Sequence, residues 1–374
     1  MSFAYLNQLL KQPLYGLSSA EKQPLFLNAL KEVSRHHYQN CRPYAKFCRK
    51  KGFDGDNFTE IYDLPYLPTA LFKDTLLLSV PENEIFRQLH SSATTSGRPS
   101  QVALDKDTNR RQSFCFTKTI IERLGNQRFH FIVLDEPSTI GRDGVLSARS
   151  STVRSLLFLA KTVHTCVDSV NGSLSLDQEK FESLLNSLGN THSNLIIFGF
   201  TFILYFHVIL PLLQAGKTYR LPGAKILLIG GWKKLEAQKV SQQKLIQDCC
   251  RCFGVKPVDV IDLYGFTEQG GMIYPTCEAG NRHTPIWCEV IVRHQTSLEP
   301  LGSGESGLMQ FITPIQTSYP GHSVLTEDIG QIIGVDDCPC GRRGTTFRIT
   351  GRANLATEVR GCGDIMAENF ALSI

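Results

Sequence analysis

The sequence lacks any long run of basic residues. Its 374 residues carry a formal charge of +4, and the densest basic cluster is Arg49-Lys50-Lys51. That cluster is too short for the electrostatic footprint of a nucleic-acid-binding surface, so we expect no nucleic-acid partner. The first six residues contain no basic stretch followed by an apolar segment, and a secretory signal peptide is therefore not predicted.

The chain also lacks internal repeats, low-complexity segments and an uninterrupted apolar run of membrane-spanning length. Residues 195–213 approach that length, but Gly199, Thr201, His207 and Pro211 interrupt them. We predict a buried strand over 194–200, a helix over 201–214 and no membrane span.

Cysteine, in contrast, is abundant, with 12 residues. Because no secretory signal is evident, we expect a reducing compartment, the cytoplasm, in which the cysteines are thiols or metal ligands rather than disulfides. Several of them are expected to pack as small hydrophobic residues.

The arrangement of apolar segments predicts an α/β fold. Strand candidates at 129–134, 196–200, 225–229 and 258–264 alternate with helical segments such as 179–188, which is typical of a parallel sheet. Shorter strands, among them 288–292 and 307–312, follow between Gly, Ser and Pro turns. We predict a helical segment over 1–60, an α/β core over 61–270, a β-rich subdomain over 271–350 and a short tail over 351–374.

Two glycine-containing segments are candidate nucleotide contacts. The loop 91–100 is rich in Ser, Thr and Gly, so Thr95, Ser96 and Gly97 could offer hydroxyl and backbone N–H donors to phosphate. Gly230-Gly231 ends a predicted strand and leaves room for a planar base. The alternative interpretation of both segments is an ordinary turn.

The segment Tyr264-Gly265-Phe266-Thr267-Glu268 follows another predicted strand. The Tyr264 ring could stack on a base, Thr267 could reach a phosphate and Glu268 could bind Mg²⁺. An ordinary exit from a strand is the alternative.

Two further charged residues are candidates for the ribose and phosphate. We expect Asp328 in a turn after Leu325, where its carboxylate could accept from both ribose hydroxyls, and Arg352 near phosphate or ribose. A turn-capping aspartate and a surface arginine are the alternatives.

Cysteine and histidine residues form a candidate metal site. Cys277, His283, Cys338 and Cys340 supply four N and S ligands, the number that tetrahedral Zn²⁺ requires. Cys288 is a rival ligand, although its strand context predicts that it packs in the core. The alternative is a pair of buried thiols with a surface histidine.

The order of these motifs resembles the adenylate-forming superfamily, more closely its phenylacetate–CoA ligase-like branch, and most closely the acyl-protein synthetase (long-chain-fatty-acid–luciferin-component ligase) family. The resembling segments are Leu71-Phe72-Lys73, Gly230-Gly231-Trp232-Lys233-Lys234, Tyr264-Gly265-Phe266-Thr267-Glu268, Tyr319-Pro320-Gly321-His322 and Arg360-Gly361-Cys362. The resemblance implies a large adenylate-forming-type α/β domain with a β-rich subdomain.

The resemblance also implies roles for individual residues. It implies that Thr95, Ser96 and Gly97 hold phosphate and that Gly230 and Tyr264 flank adenine. It implies that Thr267 touches the α-phosphate, that Glu268 binds Mg²⁺, and that Asp328 holds the ribose with Arg352 nearby. The Cys/His set would bind Zn²⁺. Thr94 and Ser100 depart from the family pattern, which has Gly and often Lys at these two places in the loop.

Members of the superfamily carry a mobile C-terminal domain that supplies a lysine for adenylation, whereas 22 residues follow Arg352 here. We therefore expect that this domain is lacking and that its lysine is absent, supplied by a partner or replaced within this chain, where Lys73 or Arg98 could substitute for it. Cys362, between two glycines and close to Arg360, is the candidate acyl acceptor, because an unhindered thiol near a cation favours the thiolate. A tail cysteine without a function is the alternative.

The predicted function is therefore ATP- and Mg²⁺-dependent activation of a carboxylic acid, fatty or aromatic, to acyl-AMP. Transfer to Cys362, to a partner reductase or carrier protein, or to both would follow. One alternative is an acid–CoA ligase of the phenylacetate type. Another is a degenerate, zinc-stabilised nucleotide-binding protein without catalysis.

Overall fold

The computed structural model describes residues 3–91, 99–135, 140, 148–170, 173–188 and 191–353. The strands are β1 (Leu67–Pro68), β2 (Ile85–His90), β3 (Gln101–Asp105), β4 (Phe129–Leu134), β5 (Ala160–Thr165), β6 (Val167–Val170), β7 (Ser173–Leu176), β8 (Leu195–Phe200), β9 (Lys225–Ile229), β10 (Val260–Tyr264), β11 (Tyr274–Pro275), β12 (Arg282–His283), β13 (Glu289–Arg293), β14 (Gly307–Ile312), β15 (Ser323–Val335) and β16 (Thr345–Arg352).

The helices are α1 (Ala4–Leu10), α2 (Ser19–Asn40), α3 (Arg42–Lys50), α4 (Leu71–Asp74), α5 (Lys106–Leu124), α6 (Ala148–Leu156), α7 (Gln178–Leu188), α8 (Thr201–Ile203), α9 (Leu210–Gln214) and α10 (Gln242–Phe253). A π-helical segment, Leu204–Ile209, joins α8 to α9. Short 3₁₀ turns cover Ile61–Asp63, Glu82–Glu84, Leu157–Leu159, Thr191–Asn194, Lys233–Gln238, Pro257–Asp259 and Thr267–Gln269. None of the helices within the described ranges is both long enough and apolar enough to cross a bilayer.

The chain forms two compact units. The first contains the described residues of Met1–Thr119, Phe266–Tyr274 and Asn281–Ile374, and the second contains those of Ile120–Gly265 and Pro275–Gly280.

A parallel sheet organises the second unit. Five of its six strands lie in the order β10-β9-β8-β4-β5, and every neighbouring pair among these five is parallel. All residues of β4 and β8 are buried, as expected for strands that are covered on both faces by helices. The predicted strands 129–134 and 225–229 are confirmed with the same bounds, and the strand and helix predicted over 194–214 correspond to β8 and the helical segment that follows it.

A mixed sheet organises the first unit. Strands β12-β16-β15-β14-β13 are antiparallel neighbours, and β1 adds to β15 in parallel register, with Leu67 opposite Val324. The hairpin β2–β3 lies in the same unit. This sheet contains the β-rich region expected after residue 271, and β14 has the predicted bounds. The division of the chain into four segments stays a prediction.

The N-terminal helices of the first unit begin with a clear local signal. Ser18 caps α2 by accepting from the Glu21 N–H, while the Glu21 carboxylate accepts from the Ser18 N–H at 2.8 Å; this reciprocal pair satisfies two donors that a helix start leaves open. One turn further, Lys22 is buried and forms an ion pair with Glu289 of β13. That pair links the helical segment to the sheet.

One local prediction was wrong. Asp328 does not lie in a turn after Leu325, because it is an interior residue of β15, opposite Arg352 of β16. The signal for a turn was the polar sequence Thr326-Glu327-Asp328, and the Asp328 N–H does donate locally to the Thr326 hydroxyl at 3.2 Å. The segment is a bulge opposite β14. It stays extended because Asp328 pairs with Arg352 and the Glu327 carbonyl oxygen accepts from the Ala353 N–H at 2.8 Å.

Candidate nucleotide and metal sites

In the second unit, three neighbouring parallel strands end together. Phe200 of β8 is opposite Ile229 of β9, and Ile229 is opposite Leu263 of β10. The residues that follow, Gly230 and Gly231, are exposed. This is the carboxyl edge of a parallel sheet, the usual position of ligand sites in α/β folds.

The main chain at Gly230 is held in a particular conformation. Its φ is +74°, a value that side chains other than that of glycine rarely tolerate, and the Thr201 hydroxyl donates to the Gly230 carbonyl oxygen at 2.7 Å. Tyr264 ends β10 and is half-buried. Gly230, Gly231, Tyr264 and Gly265 therefore lie on one edge of one sheet, which suits the stacking of a planar base. Their role in binding adenine stays a prediction.

In the first unit, Glu268 is a buried carboxylate. It lies in the 3₁₀ turn Thr267–Gln269, is only 5% exposed, and accepts a hydrogen bond from the Ser100 hydroxyl. Burial raises the pKa of Glu268 above the ordinary glutamate range, although Ser100 and the charge of Lys73 oppose the shift. No ion pair joins this carboxylate to a lysine or arginine of the described ranges.

That environment fits a divalent cation. A carboxylate oxygen is a preferred ligand of Mg²⁺, and a bound cation would compensate a charge that burial otherwise disfavours. Thr267 is adjacent and half-buried. The residues present therefore fit the proposed magnesium site, with Glu268 as its ligand.

The base of the predicted phosphate loop is closed by two hydrogen bonds. The Ser91 N–H donates to the Ser100 carbonyl oxygen at 3.0 Å, and the Ser100 N–H donates to the Ser91 hydroxyl at 2.7 Å. Ser100 also contacts Glu268, so the loop begins and ends beside the proposed metal ligand. Thr95, Ser96 and Gly97, with Thr94 and Arg98, lie outside the described residues.

Charged side chains meet around the middle of β15. Arg352 pairs with the Glu327 carboxylate at 2.5 Å, and the Lys73 Nζ lies 4.0 Å from the other Glu327 oxygen. The parallel pairing of β1 with β15 brings α4, and therefore Lys73, to this place. Asp328 is half-buried beside Glu327. The sequence motifs did not identify Glu327, whose carboxylate contacts both Arg352 and Lys73.

The predicted metal ligands lie together. One ligand atom from each of Cys277, His283, Cys338 and Cys340 lies within 4.8 Å of the others, and the Cys340 Sγ is 3.2 Å from the His283 Nε2. Bonds of about 2.0 to 2.3 Å to a tetrahedral Zn²⁺ separate ligand atoms by roughly 3.3 to 3.8 Å, so this set can close around one ion.

Neighbouring side chains orient the Cys338 thiol. The Asn281 amide donates to the Cys338 Sγ at 3.6 Å, and the Arg348 guanidinium donates to the Asn281 carbonyl oxygen at 2.9 Å. A chain of donors directed toward sulfur is the usual surrounding of a thiolate ligand. Cys288 lies outside this group, with its Sγ 3.5 Å from the Met272 Sδ in the core. The donor set therefore fits Zn²⁺.

Cys362, the predicted acyl acceptor, lies outside the described residues. Its role and the roles of the residues above stay predictions.

The fold of the chain is similar to that of a solved CoA ligase. It is similar to the crystal structure of an open conformation of 2-hydroxyisobutyryl-CoA ligase in complex with 2-HIB-AMP and CoA, with a TM-score of 0.69 and 16% identity over 93% of this chain and 78% of that chain. At this identity the likeness concerns the fold alone.

The chain belongs to the acyl-protein synthetase family, LuxE, whose family model matches residues 6–371. It is 25% identical to the long-chain-fatty-acid–luciferin-component ligase of Vibrio harveyi over 94% of this chain and 90% of that protein. It is 40% identical to the ligase of the same name from Photorhabdus luminescens over 23% of this chain and 72% of that protein. The predicted family, the α/β fold and the assignment as a ligase are confirmed.

Proposed function

We propose that this chain uses ATP and Mg²⁺ to convert a carboxylic acid to an acyl adenylate, and then transfers the acyl group to a thiol. The substrate class is a fatty or aromatic acid; the names of the curated relatives favour a long-chain fatty acid. The observation that most supports this proposal is the buried Glu268 carboxylate, which lies at the base of the Ser/Thr/Gly loop and bonds to Ser100.

In the first step, a carboxylate oxygen of the acid attacks the α-phosphorus of ATP. A new O–P bond forms while the bond between that phosphorus and its bridging oxygen breaks, and pyrophosphate leaves with the electron pair. Glu268 would hold Mg²⁺, which neutralises phosphate charge when bound. Thr267 would donate its hydroxyl to the α-phosphate, and Thr95, Ser96 and Gly97 would contact the remaining phosphates.

The other nucleotide contacts follow from the same assignment. Tyr264 and Gly230, with Gly231 and Gly265, would hold adenine. Asp328 would accept from the ribose hydroxyls, and Arg352 would lie near them.

In the second step, a thiolate attacks the carbonyl carbon of the acyl adenylate. The new C–S bond forms, the bond between the acyl carbon and the phosphate oxygen breaks, and AMP leaves. We assign Cys362 as the first thiol, because glycines flank it in the sequence, a pattern typical of an unhindered thiol. The final acceptor would be a partner reductase or carrier protein: its thiol would attack the thioester carbon, a new C–S bond would form, and the bond to Cys362 would break with release of the Cys362 thiolate. This thiol chemistry suits a reducing compartment such as the cytoplasm.

We assign Zn²⁺ to the Cys277, His283, Cys338 and Cys340 set as a structural ion. Four protein ligands complete a tetrahedral site and leave no open position for a substrate.

ATP–pyrophosphate exchange with a panel of carboxylic acids tests the first step. Acid-dependent exchange is expected with at least one fatty or aromatic acid. If folded protein catalyses no exchange with any acid in the presence of Mg²⁺, the non-catalytic alternative is supported. Coenzyme A as an efficient acceptor without any partner protein would favour the acid–CoA ligase.

The variant Cys362→Ser tests the second step. It should keep pyrophosphate exchange, because adenylation does not use this thiol, and it should lose the hydroxylamine-sensitive label that radioactive acid leaves on the native chain. Cys250→Ser, which removes a partly buried cysteine of α10, is the matched control and should keep the label. Undiminished labelling of Cys362→Ser would contradict the assignment.

A further inference from the structure

The segment Tyr319-Pro320-Gly321-His322 forms the last part of the connection from β14 to β15 and lies against the turn that contains Glu268. Tyr319 is fully buried, and its hydroxyl donates to the main-chain carbonyl oxygen of Glu268 at 3.0 Å. The Tyr319 side chain thus links two segments of the first unit, since Tyr319 and Glu268 are 51 residues apart in the chain.

The residue after Glu268 is held from the same side. The Gln269 amide donates to the carbonyl oxygens of Phe311 and Gly321, at 2.9 Å each. Gly321 approaches so closely that a Cβ on it would lie 2.8 Å from the Glu268 carbonyl oxygen. Two hydrogen-bonding side chains and one close contact therefore fix the main chain of Glu268 and Gln269 against the segment 319–322.

We propose that Tyr319 is a positioning residue, which fixes the Glu268 main chain so that the carboxylate points at the metal. This inference rests on the proposed role of Glu268 as the Mg²⁺ ligand. A three-residue 3₁₀ turn has few internal hydrogen bonds to hold it, and partners outside the ligand shell commonly decide how well a ligand is oriented.

Tyr319→Phe keeps the ring and removes the hydroxyl, which bonds to the Glu268 carbonyl oxygen and also contacts the Gln112 side chain. Tyr44→Phe is the matched control: it removes another fully buried hydroxyl of the same unit, whose contacts include His322 Nε2 at 3.1 Å. That control loosens the same segment but leaves the bond to Glu268 in place.

The measurement is ATP binding without acid, by calorimetry at increasing Mg²⁺ concentrations, so that no turnover is involved. For Tyr319→Phe, the Mg²⁺ concentration at half-saturation should rise about threefold to tenfold, while binding at saturating Mg²⁺ changes little. Tyr44→Phe should lower the melting temperature similarly and leave the Mg²⁺ dependence unchanged.

Glu268→Gln separates failure of the inference from failure of the proposed function. If Glu268→Gln removes the Mg²⁺ dependence but Tyr319→Phe behaves like Tyr44→Phe, the positioning role is wrong and the metal ligand stands. If Glu268→Gln leaves the Mg²⁺ dependence intact, both are wrong. Should Tyr319→Phe not fold, Gln269→Met, which removes the two amide bonds to Phe311 and Gly321, replaces it in the same comparison, with the same expected shift.

Discussion

At the residue scale, Glu268 is a carboxylate in a buried position. When no metal is bound, burial disfavours its charged form. Burial raises its pKa, so the folded state binds a proton more readily than the unfolded state. The stability contributed by this group is therefore greatest below the unfolded pKa, about 4.3, and is lost as pH rises through the folded pKa.

Glu268→Gln should therefore gain stability while it loses activity. At pH 8, without Mg²⁺ and nucleotide, the variant should melt above the native protein, because an uncharged amide replaces a desolvated carboxylate. The difference in melting temperature between the variant and the native protein should shrink as the pH is lowered toward 4.5. Pyrophosphate exchange should fall by roughly 10²- to 10³-fold. Thermal denaturation at the two pH values is the measurement, and a variant that melts lower at pH 8 would contradict this account of the burial.

At the scale of elements, β15 gathers the charged groups. Its parallel pairing with β1 places Lys73, its antiparallel pairing with β16 places Arg352, and the strand itself carries Glu327 and Asp328. Because both flanking segments are fixed by backbone ladders, these four side chains are positioned by the sheet rather than by a mobile loop.

Asp328→Ala should raise the KM for ATP more than it lowers turnover. A ribose contact is made equally in the ground and transition states, so its loss weakens binding rather than catalysis. Steady-state kinetics with ATP as the varied substrate is the measurement, and Glu299→Ala, which removes an exposed carboxylate of the same unit, is the control. An unchanged KM for ATP in Asp328→Ala would show that the carboxylate only supports the strand.

The Cys/His set joins separate turns of the chain, so its ion should stabilise the local structure. Removal of zinc with a chelator should lower the melting temperature, and Asn281→Ala should weaken zinc affinity about tenfold to a hundredfold, because the donor to the Cys338 sulfur is lost. Elemental analysis and competition with a chromophoric chelator are the measurements. Freshly purified protein with far less than one equivalent of zinc would contradict the assignment.

At the scale of the whole molecule, buried histidines limit stability in acid. His37 and His322 stack with ring centroids 4.8 Å apart. His37 also bonds to Ser79 and to the Gln316 carbonyl oxygen, and Tyr44 contacts His322. Burial lowers the pKa of both histidines, that of His322 to about 3.

Both histidines are therefore neutral in the folded protein and bind protons on unfolding below about pH 6.5. Their stability contribution is present above that pH and is lost progressively as pH falls toward the folded pKa. Each contributes a slope of up to about 1.4 kcal/mol per pH unit. His322→Gln should show a shallower loss of unfolding free energy between pH 6.5 and 4 in urea titrations than the native protein does. His294→Gln, at an exposed histidine, should not; equal slopes in all three proteins would exclude the buried pair as the cause.

The sequence by itself determined the elements whose signals are local. The mostly apolar strands 129–134, 225–229 and 307–312 were predicted with the bounds that the structure has, because hydrophobic pattern and propensity act within a few residues. The Cys and His ligand types were also recognisable, since thiolate and imidazole chemistry belongs to the residues themselves.

Only the tertiary structure decided which of these residues meet. Asp328 looked like a turn residue and became part of a strand, because its partners come from residues 345–352. Ser100 bonds to Glu268, Lys73 approaches Glu327 and Tyr319 bonds to Glu268 across separations of tens to hundreds of residues. No local pattern encodes such contacts, because they depend on the pairing of distant strands and on the shared burial that makes one arrangement of polar partners more stable than its competitors.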